Sequence, residues 1–177
     1  MQNKIDFLYV GGHKCGSTWL HDVLIEHPEI CPPKQKEPNF FNLNYQQGFK
    51  YYDKLWSGKG LRGEFSTSYF TEIKNIERIY NYNPDIKILI TLRNPLDRTI
   101  SHIRHWNRLT PKNLDEPELI IKFLKQNPEI IQRSKYAQNI KNVLYFFPPK
   151  QINFNFFDDI LSAPDMVFKN TLKFLNL

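Results

Sequence analysis

Three constellations in this 177-residue chain combine residue types that could do chemistry on an anion. The first is Gly11-Gly12-His13-Lys14-Cys15-Gly16, a turn with a lysine inside it that runs straight into Ser17 and Thr18. The second is Arg93, with Ser101 eight residues further on. The third is Glu37, an acid in the basic run Lys34-Gln35-Lys36-Glu37. A glycine turn opening onto a helix binds anions for a physical reason. The first N–H groups of the helix have no internal partners, and the helix dipole adds partial positive charge there. Glycine lets the backbone approach the ligand with no Cβ in the way. An arginine can fork onto a phosphate while a serine hydroxyl donates from the helix side. Read alone, Arg93 is a surface arginine before a helix and Glu37 a solvated charge. Arg93 gains weight from standing beside the lysine turn.

Spacing sorts the familiar alternatives. Gly11 to Gly16 has the glycine spacing of the ATP-type loop, but Ser17 stands where that loop needs lysine, and the lysine lies inside the turn at position 14. A cysteine phosphatase would use Cys15 as a thiolate with an arginine six residues on; that position is His21, which excludes it. The segment Thr91-Leu92-Arg93 offers no acid to hold Mg²⁺, as nucleotide-cleaving enzymes require. Asp158 and Asp159 are the remaining candidates, and they read as a helix-start or loop pair. His102 and His105 are rival bases; with no Cys or acidic partners near them they make no convincing metal site.

The elements that must position these residues follow from apolar patterning. Ile5–Val10 reads as a buried strand and Ser17–Glu26 as the helix after the turn, with Trp19, Leu20, Val23 and Leu24 on one face. Ile86–Leu92 is a second strand, after which Asn94 can cap a helix and Pro95 can occupy its first turn. Further strands are expected at Leu61–Ser66 and Ile152–Phe157, and helices at Ser134–Phe147 and Pro164–Leu175. Alternating strands and helices predict an α/β fold with a mainly parallel sheet flanked by helices. Thr110–Arg133 is polar and Pro-broken around one short helix and is expected to be a variable flap on a single domain spanning 1–177.

Composition bounds the partners. There are 24 Lys+Arg against 18 Asp+Glu, a formal net charge of +6, which favours an anionic partner. No apolar run approaches the roughly 18 residues of a membrane helix, and no secretory signal opens the chain. Two cysteines, Cys15 and Cys31, are too few for a disulfide framework. A cytoplasmic protein with neither membrane nor nucleic-acid partner is expected.

Gly12 through Leu20 resembles the 5′-phosphosulfate loop of sulfotransferases that use 3′-phosphoadenosine 5′-phosphosulfate (PAPS). Leu92-Arg93-Asn94-Pro95 through Arg98 to Ser101 resembles their 3′-phosphate segment. Lys36-Glu37-Pro38-Asn39-Phe40-Phe41 is similar to a run of the heparan-sulfate-type, carbohydrate-modifying branch, as are Tyr136 through Pro148 and Phe156–Leu177. The resemblance implies a P-loop-like three-layer fold. It implies that Lys14, Cys15, Gly16, Ser17, Thr18 and Trp19 bind the donor's 5′ side, and that Arg93 and Ser101 bind its 3′-phosphate. It further implies that Lys14 stabilises the leaving oxygen, that Glu37 is the general base, and that no metal is required. Lys36, Glu64, Ser66, His105 and Tyr136 are the acceptor-side candidates. Two departures stand out. Phe65 occupies the position where that branch carries a lysine beside the acid. The basic loop that closes over PAPS is expected to be absent, since the chain stops at Leu177. An Mg²⁺-dependent kinase-like enzyme and a non-catalytic nucleotide- or polyanion-binding protein are the competing readings.

Overall fold

The computed structural model describes residues 4–109 and 116–177. Strands β1 (Phe7–Gly11), β2 (Ile30–Cys31), β3 (Leu61–Phe65), β4 (Lys87–Leu92) and β5 (Ile152–Phe156) form one sheet in the order β2-β3-β1-β4-β5. Every neighbouring pair is parallel. After β1 the chain builds towards one edge, through β2 and β3, and then crosses to the other side of β1 to lay down β4. Strand order therefore reverses between β1 and β4, and their carboxyl ends flank the crevice where open α/β sheets bind ligands.

Both faces of the sheet are covered, which is why β1 is buried throughout and reads as an unbroken apolar run. Alternation still decides which face each side chain joins. Leu8, Val10, Ile88 and Ile90 point into a large aromatic core with Phe40, Phe41, Tyr52, Tyr69 and Phe147. Phe7, Tyr9 and Leu89 point the other way, onto Leu20 and Leu24 of α1 (Ser17–Ile25) and Leu175 of the C-terminal helix (Pro164–Leu175). Both cysteines are free and buried. No helix among the described residues is long and apolar enough to cross a membrane.

Elements outside the expectations from patterning include β2, the short α2 (Phe49–Asp53), α3 (Ile73–Tyr82) and a helix at Phe157–Ser162, which begins where the last strand is expected to end. Helix α3 is polar on average and buries only Ile76, Ile79, Tyr82 and an asparagine, Asn75. Beyond α4 (Pro95–Leu109), Thr110–Asp115 of the expected flap fall outside the described residues. The rest of that stretch forms two helices rather than one, α5 (Pro117–Gln126) and α6 (Glu129–Gln132). Phe123 and Ile130 pack them onto Ile103 of α4. Three more helices complete the chain: α7 (Tyr136–Phe146), α8 (Phe157–Ser162) and α9, the C-terminal helix already given.

Gly63 shows how tightly β1 and β3 are matched. It pairs with Phe7, and a Cβ added at Gly63 would lie 1.9 Å from Phe7 Cζ. The Phe7 ring is fully buried and has no free space to swing into. We expect Gly63→Ala to cost about 1–3 kcal/mol of stability, measured by urea unfolding.

Candidate functional site

The loop after β1 is built to leave backbone donors free. Lys14 has φ 63° and Gly16 φ 91°, so two residues of the turn adopt the left-handed conformation. Such alternation produces concave nests of N–H groups that hold anions. No side chain caps α1 at Gly16, which leaves the first-turn N–H groups to a ligand. Two bonds fix the loop to the sheet: Gly12 N–H donates to Thr91 O (2.8 Å), and the Tyr9 hydroxyl donates to Gly12 O (3.1 Å). The loop is thereby tied to both strands of the crevice.

Arg93 leaves the tip of β4. Its Nη1 donates to Lys14 O at 3.4 Å, and its guanidinium lies over the Phe157 ring, 4.1 Å from the centroid. Asn94 caps α4 as the sequence predicts: its Oδ1 accepts from Leu96 N (2.9 Å) and Asp97 N (3.4 Å). A cleft of about 390 Å³ joins Lys14, Gly16, Ser17, Thr18, Glu37, Arg93, Ser101 and His105. Sequence reasoning missed three of its wall residues, His13, Thr67 and Phe157. An adjoining hollow of about 500 Å³ shares Arg93 and Ser101 and runs along α4 past Arg104 and Arg108.

Glu37 reaches this cleft from the loop after β2. It holds φ 53°, a conformation uncommon outside glycine and asparagine, and Asn39 holds φ 51°. The Asn39 amide donates to Glu37 O (2.8 Å), and Asn39 N–H donates to Ser66 Oγ (3.1 Å). Lys36 Nζ donates to Thr18 Oγ1 (3.3 Å), so the lysine beside the acid touches the loop rather than lining the cleft.

Positive charge is crowded here. Burial lowers the Lys14 pKa, and Arg108 and Arg93 push it the same way, against an opposing pull from Glu37. Burial, then Lys14 and Arg108, lower that of His105. His13 falls to about 2 through burial and the charge of Arg133, and His102 to about 3 for the same two reasons. The geometry supports a neutral His102. Arg98 Nη1 can only donate, so His102 Nδ1, 3.2 Å away, must accept. His102 is 4% exposed, and this removes it as a rival base. Arg98 itself is fully buried, not exposed to the cleft, and donates to Ser134 Oγ, Thr99 Oγ1 and Ile130 O, fastening α4 to α6 and the start of α7.

Several expected site residues lie elsewhere. Glu64 and Ser66 are fully buried and cannot face an acceptor. Glu64 accepts from Ser66 Oγ and the Tyr69 hydroxyl (2.6 Å each) and from the Tyr52 hydroxyl; burial raises its pKa while the three donors oppose the rise. Trp19 packs against the core below α1, not in the cleft. Cys15 is buried, its Sγ 3.6 Å from the Tyr136 hydroxyl, and neither residue lines the cleft. Asp158 and Asp159 occupy the first turn of α8. Among the described residues no three His, Cys, Asp or Glu side chains gather as a metal site. A larger hollow, about 940 Å³, lies beyond Ser68 and is lined by Arg78, Arg133, Lys74 and Lys135, by Glu72 and Glu129, and by amide and hydroxyl groups.

Comparison with known proteins agrees with this geometry. The family model described as "Sulfotransferase domain" matches residues 4–177. Heparan sulfate glucosamine 3-O-sulfotransferase 6 of Mus musculus is 28% identical over 165 residues, covering 89% of this chain and 48% of the relative. The membrane-associated sulfotransferase kil1 of Dictyostelium discoideum is 26% identical over 118 residues, 63% of this chain and 25% of the relative. The chain thus spans between a quarter and about half the length of these curated relatives. Among solved structures, a sulfotransferase from Alicyclobacillus acidocaldarius superposes with TM-score 0.86 at 27% identity, covering 98% of this chain and 81% of that one. Mouse sulfotransferase SULT7A1 complexed with PAP shares the fold at TM-score 0.65 and 19% identity, over 98% of this chain and 58% of that one.

The neutral imidazoles carry a pH signature. A histidine depressed from about 6.5 to about 3 takes up a proton more readily unfolded, so stability is full above pH 6.5 and declines as pH falls towards 3. We expect His102→Gln, whose amide oxygen still accepts from Arg98, to remove about 1–2 kcal/mol of the stability lost between pH 7 and 5. Urea unfolding at the two pH values measures it.

Proposed function

The chain belongs to the sulfotransferase family, and on that premise we propose that it moves a sulfuryl group from PAPS to a hydroxyl or amine of a carbohydrate-like acceptor. One observation carries the reading: a single cleft between the tips of β1 and β4 collects Lys14, Arg93, Ser101 and Glu37. The donor is elongated and anionic at both ends, and these residues offer a cationic grip for each. The Lys14–Thr18 backbone and the free N–H groups of α1 wrap the 5′-phosphosulfate. Arg93 and Ser101 hold the 3′-phosphate.

In the reaction the acceptor oxygen attacks sulfur in line while the bond from sulfur to the bridging phosphate oxygen breaks. Glu37 takes the acceptor proton. The Lys14 ammonium neutralises the charge that collects on the leaving oxygen, and adenosine 3′,5′-bisphosphate (PAP) departs. Positioning and charge stabilisation supply most of the acceleration. The hollow beyond Ser68 is the acceptor cleft in this reading. Arg133, which lines it, also acts electrostatically on Glu37, and the lining amides and hydroxyls suit a sugar.

Labelled PAPS and a panel of oligosaccharide acceptors test the reading. Lys14→Ala is expected to lower turnover about 10²–10³-fold. Glu37→Gln is expected to lower it about 10²–10⁴-fold while leaving PAP affinity unchanged in calorimetry. ATP bound more tightly than PAP, with strict Mg²⁺ dependence, would refute the assignment.

A further inference from the structure

Phe157 is a wall of the cleft to which the mechanism above gives no task. It opens α8, directly after the exposed end of β5. Its ring lies under the Arg93 guanidinium, 4.1 Å from Cζ to the centroid. The same ring abuts the anion loop: a Cβ added at Gly16 would lie 3.2 Å from Phe157 Cδ2 and 3.1 Å from Ile160 Cδ1, one turn further along α8. One aromatic side chain thus stands between the residue proposed for the 3′-phosphate and the loop proposed for the 5′-phosphosulfate.

Arg93 needs such a support. The hydrogen bond that holds it, to Lys14 O, is long at 3.4 Å, and among the described residues no carboxylate forms an ion pair with it. A carboxylate partner would orient the guanidinium but also cancel the charge that the phosphate must meet. A ring face attracts the cation through its quadrupole and leaves the N–H donors unspent.

We propose that Phe157 is a positioning residue for donor recognition: its ring orients Arg93 towards the 3′-phosphate and, by abutting Gly16, sets the spacing of the two anion grips. The inference rests on the donor reading given under Proposed function. The ring acts through Arg93 and need not touch the nucleotide. Its loss therefore falls on ligands that carry a 3′-phosphate and spares those that do not.

The test compares calorimetric affinities for PAP and for adenosine 5′-monophosphate, which lacks the 3′-phosphate. Phe157→Leu is expected to weaken PAP about 3- to 30-fold and the monophosphate less than about twofold. Phe157→Tyr, which keeps the ring, is expected to retain the wild-type preference. In an Arg93→Ala background Phe157→Leu should add nothing further to the loss of PAP. Should the leucine variant fail to fold in a thermal melt, Phe157→Met fills the same space and takes its place. Equal losses for both ligands, a tyrosine variant that behaves like leucine, or additive losses in the double variant would overturn the positioning role alone. An Arg93→Ala variant that keeps the full preference for PAP would overturn the donor reading, and this inference with it.

Discussion

Positive charge crowded together in one place is the constraint on which the rest of this structure depends. Arg93, Lys14, Arg98, Arg108 and Arg133 act on one another or on the same groups, and two imidazoles lie among them. Like charges in a partly buried place repel; Glu37 offsets Lys14 and Arg133, Glu129 offsets Arg133, and two of the arginines are held by neutral groups. Arg93 rests on a ring and a carbonyl. Arg98 is satisfied by oxygens of hydroxyls and a carbonyl and by a neutral imidazole. The histidines remain uncharged. The arrangement favours an anion over any internal partner, and binding an anion to the native state alone stabilises it.

The sheet gives that charge its location. With β1 at the centre and β4 laid down on the side opposite β3, the two loops that carry the grip become neighbours although 79 residues separate Lys14 from Arg93. Much of this was readable beforehand. The strands at β1 and β4 are nearly continuous apolar runs because both faces are covered, and such runs are conspicuous; β5, at the sheet edge, alternates apolar residues with Asn153 and Asn155. The Asn94 cap and Pro95 announced the start of α4, and the cleft unites most of the residues marked by the lysine turn, Arg93 and Glu37.

What the sequence concealed has physical reasons. Helix α3 is polar on average and is held by a narrow stripe of Ile76, Ile79 and Tyr82, too few for periodicity to stand out. Strand β2 is two residues long and depends on β3 to exist at all. Glu64 and Ser66 look like surface polar residues in Gly63-Glu64-Phe65-Ser66, and only tertiary structure supplies the tyrosine hydroxyls that allow the acid to be buried. Trp19 lies in the loop-and-helix motif yet is not in the cleft, because its place on α1 packs it against the core that contains Leu20 and Leu24. His13 and Thr67 gave no spacing signal; their proximity, 3.1 Å from Nδ1 to Oγ1, spans 54 residues of chain.

The buried Glu64 cluster reaches further than its own pocket. Ser66 Oγ, which donates to Glu64, accepts from Asn39 N–H, and the Tyr69 hydroxyl, which also donates to Glu64, accepts from Phe41 N–H at 3.1 Å. Two backbone points of the segment that presents Glu37 are therefore moored, through one hydroxyl each, to a carboxylate that never meets solvent. A charge deep in the interior dictates the stance of another at the rim, and the hydroxyl relays between them have direction, since each oxygen can pass on only the proton it owns. The unusual backbone of Glu37 is the visible end of that mooring.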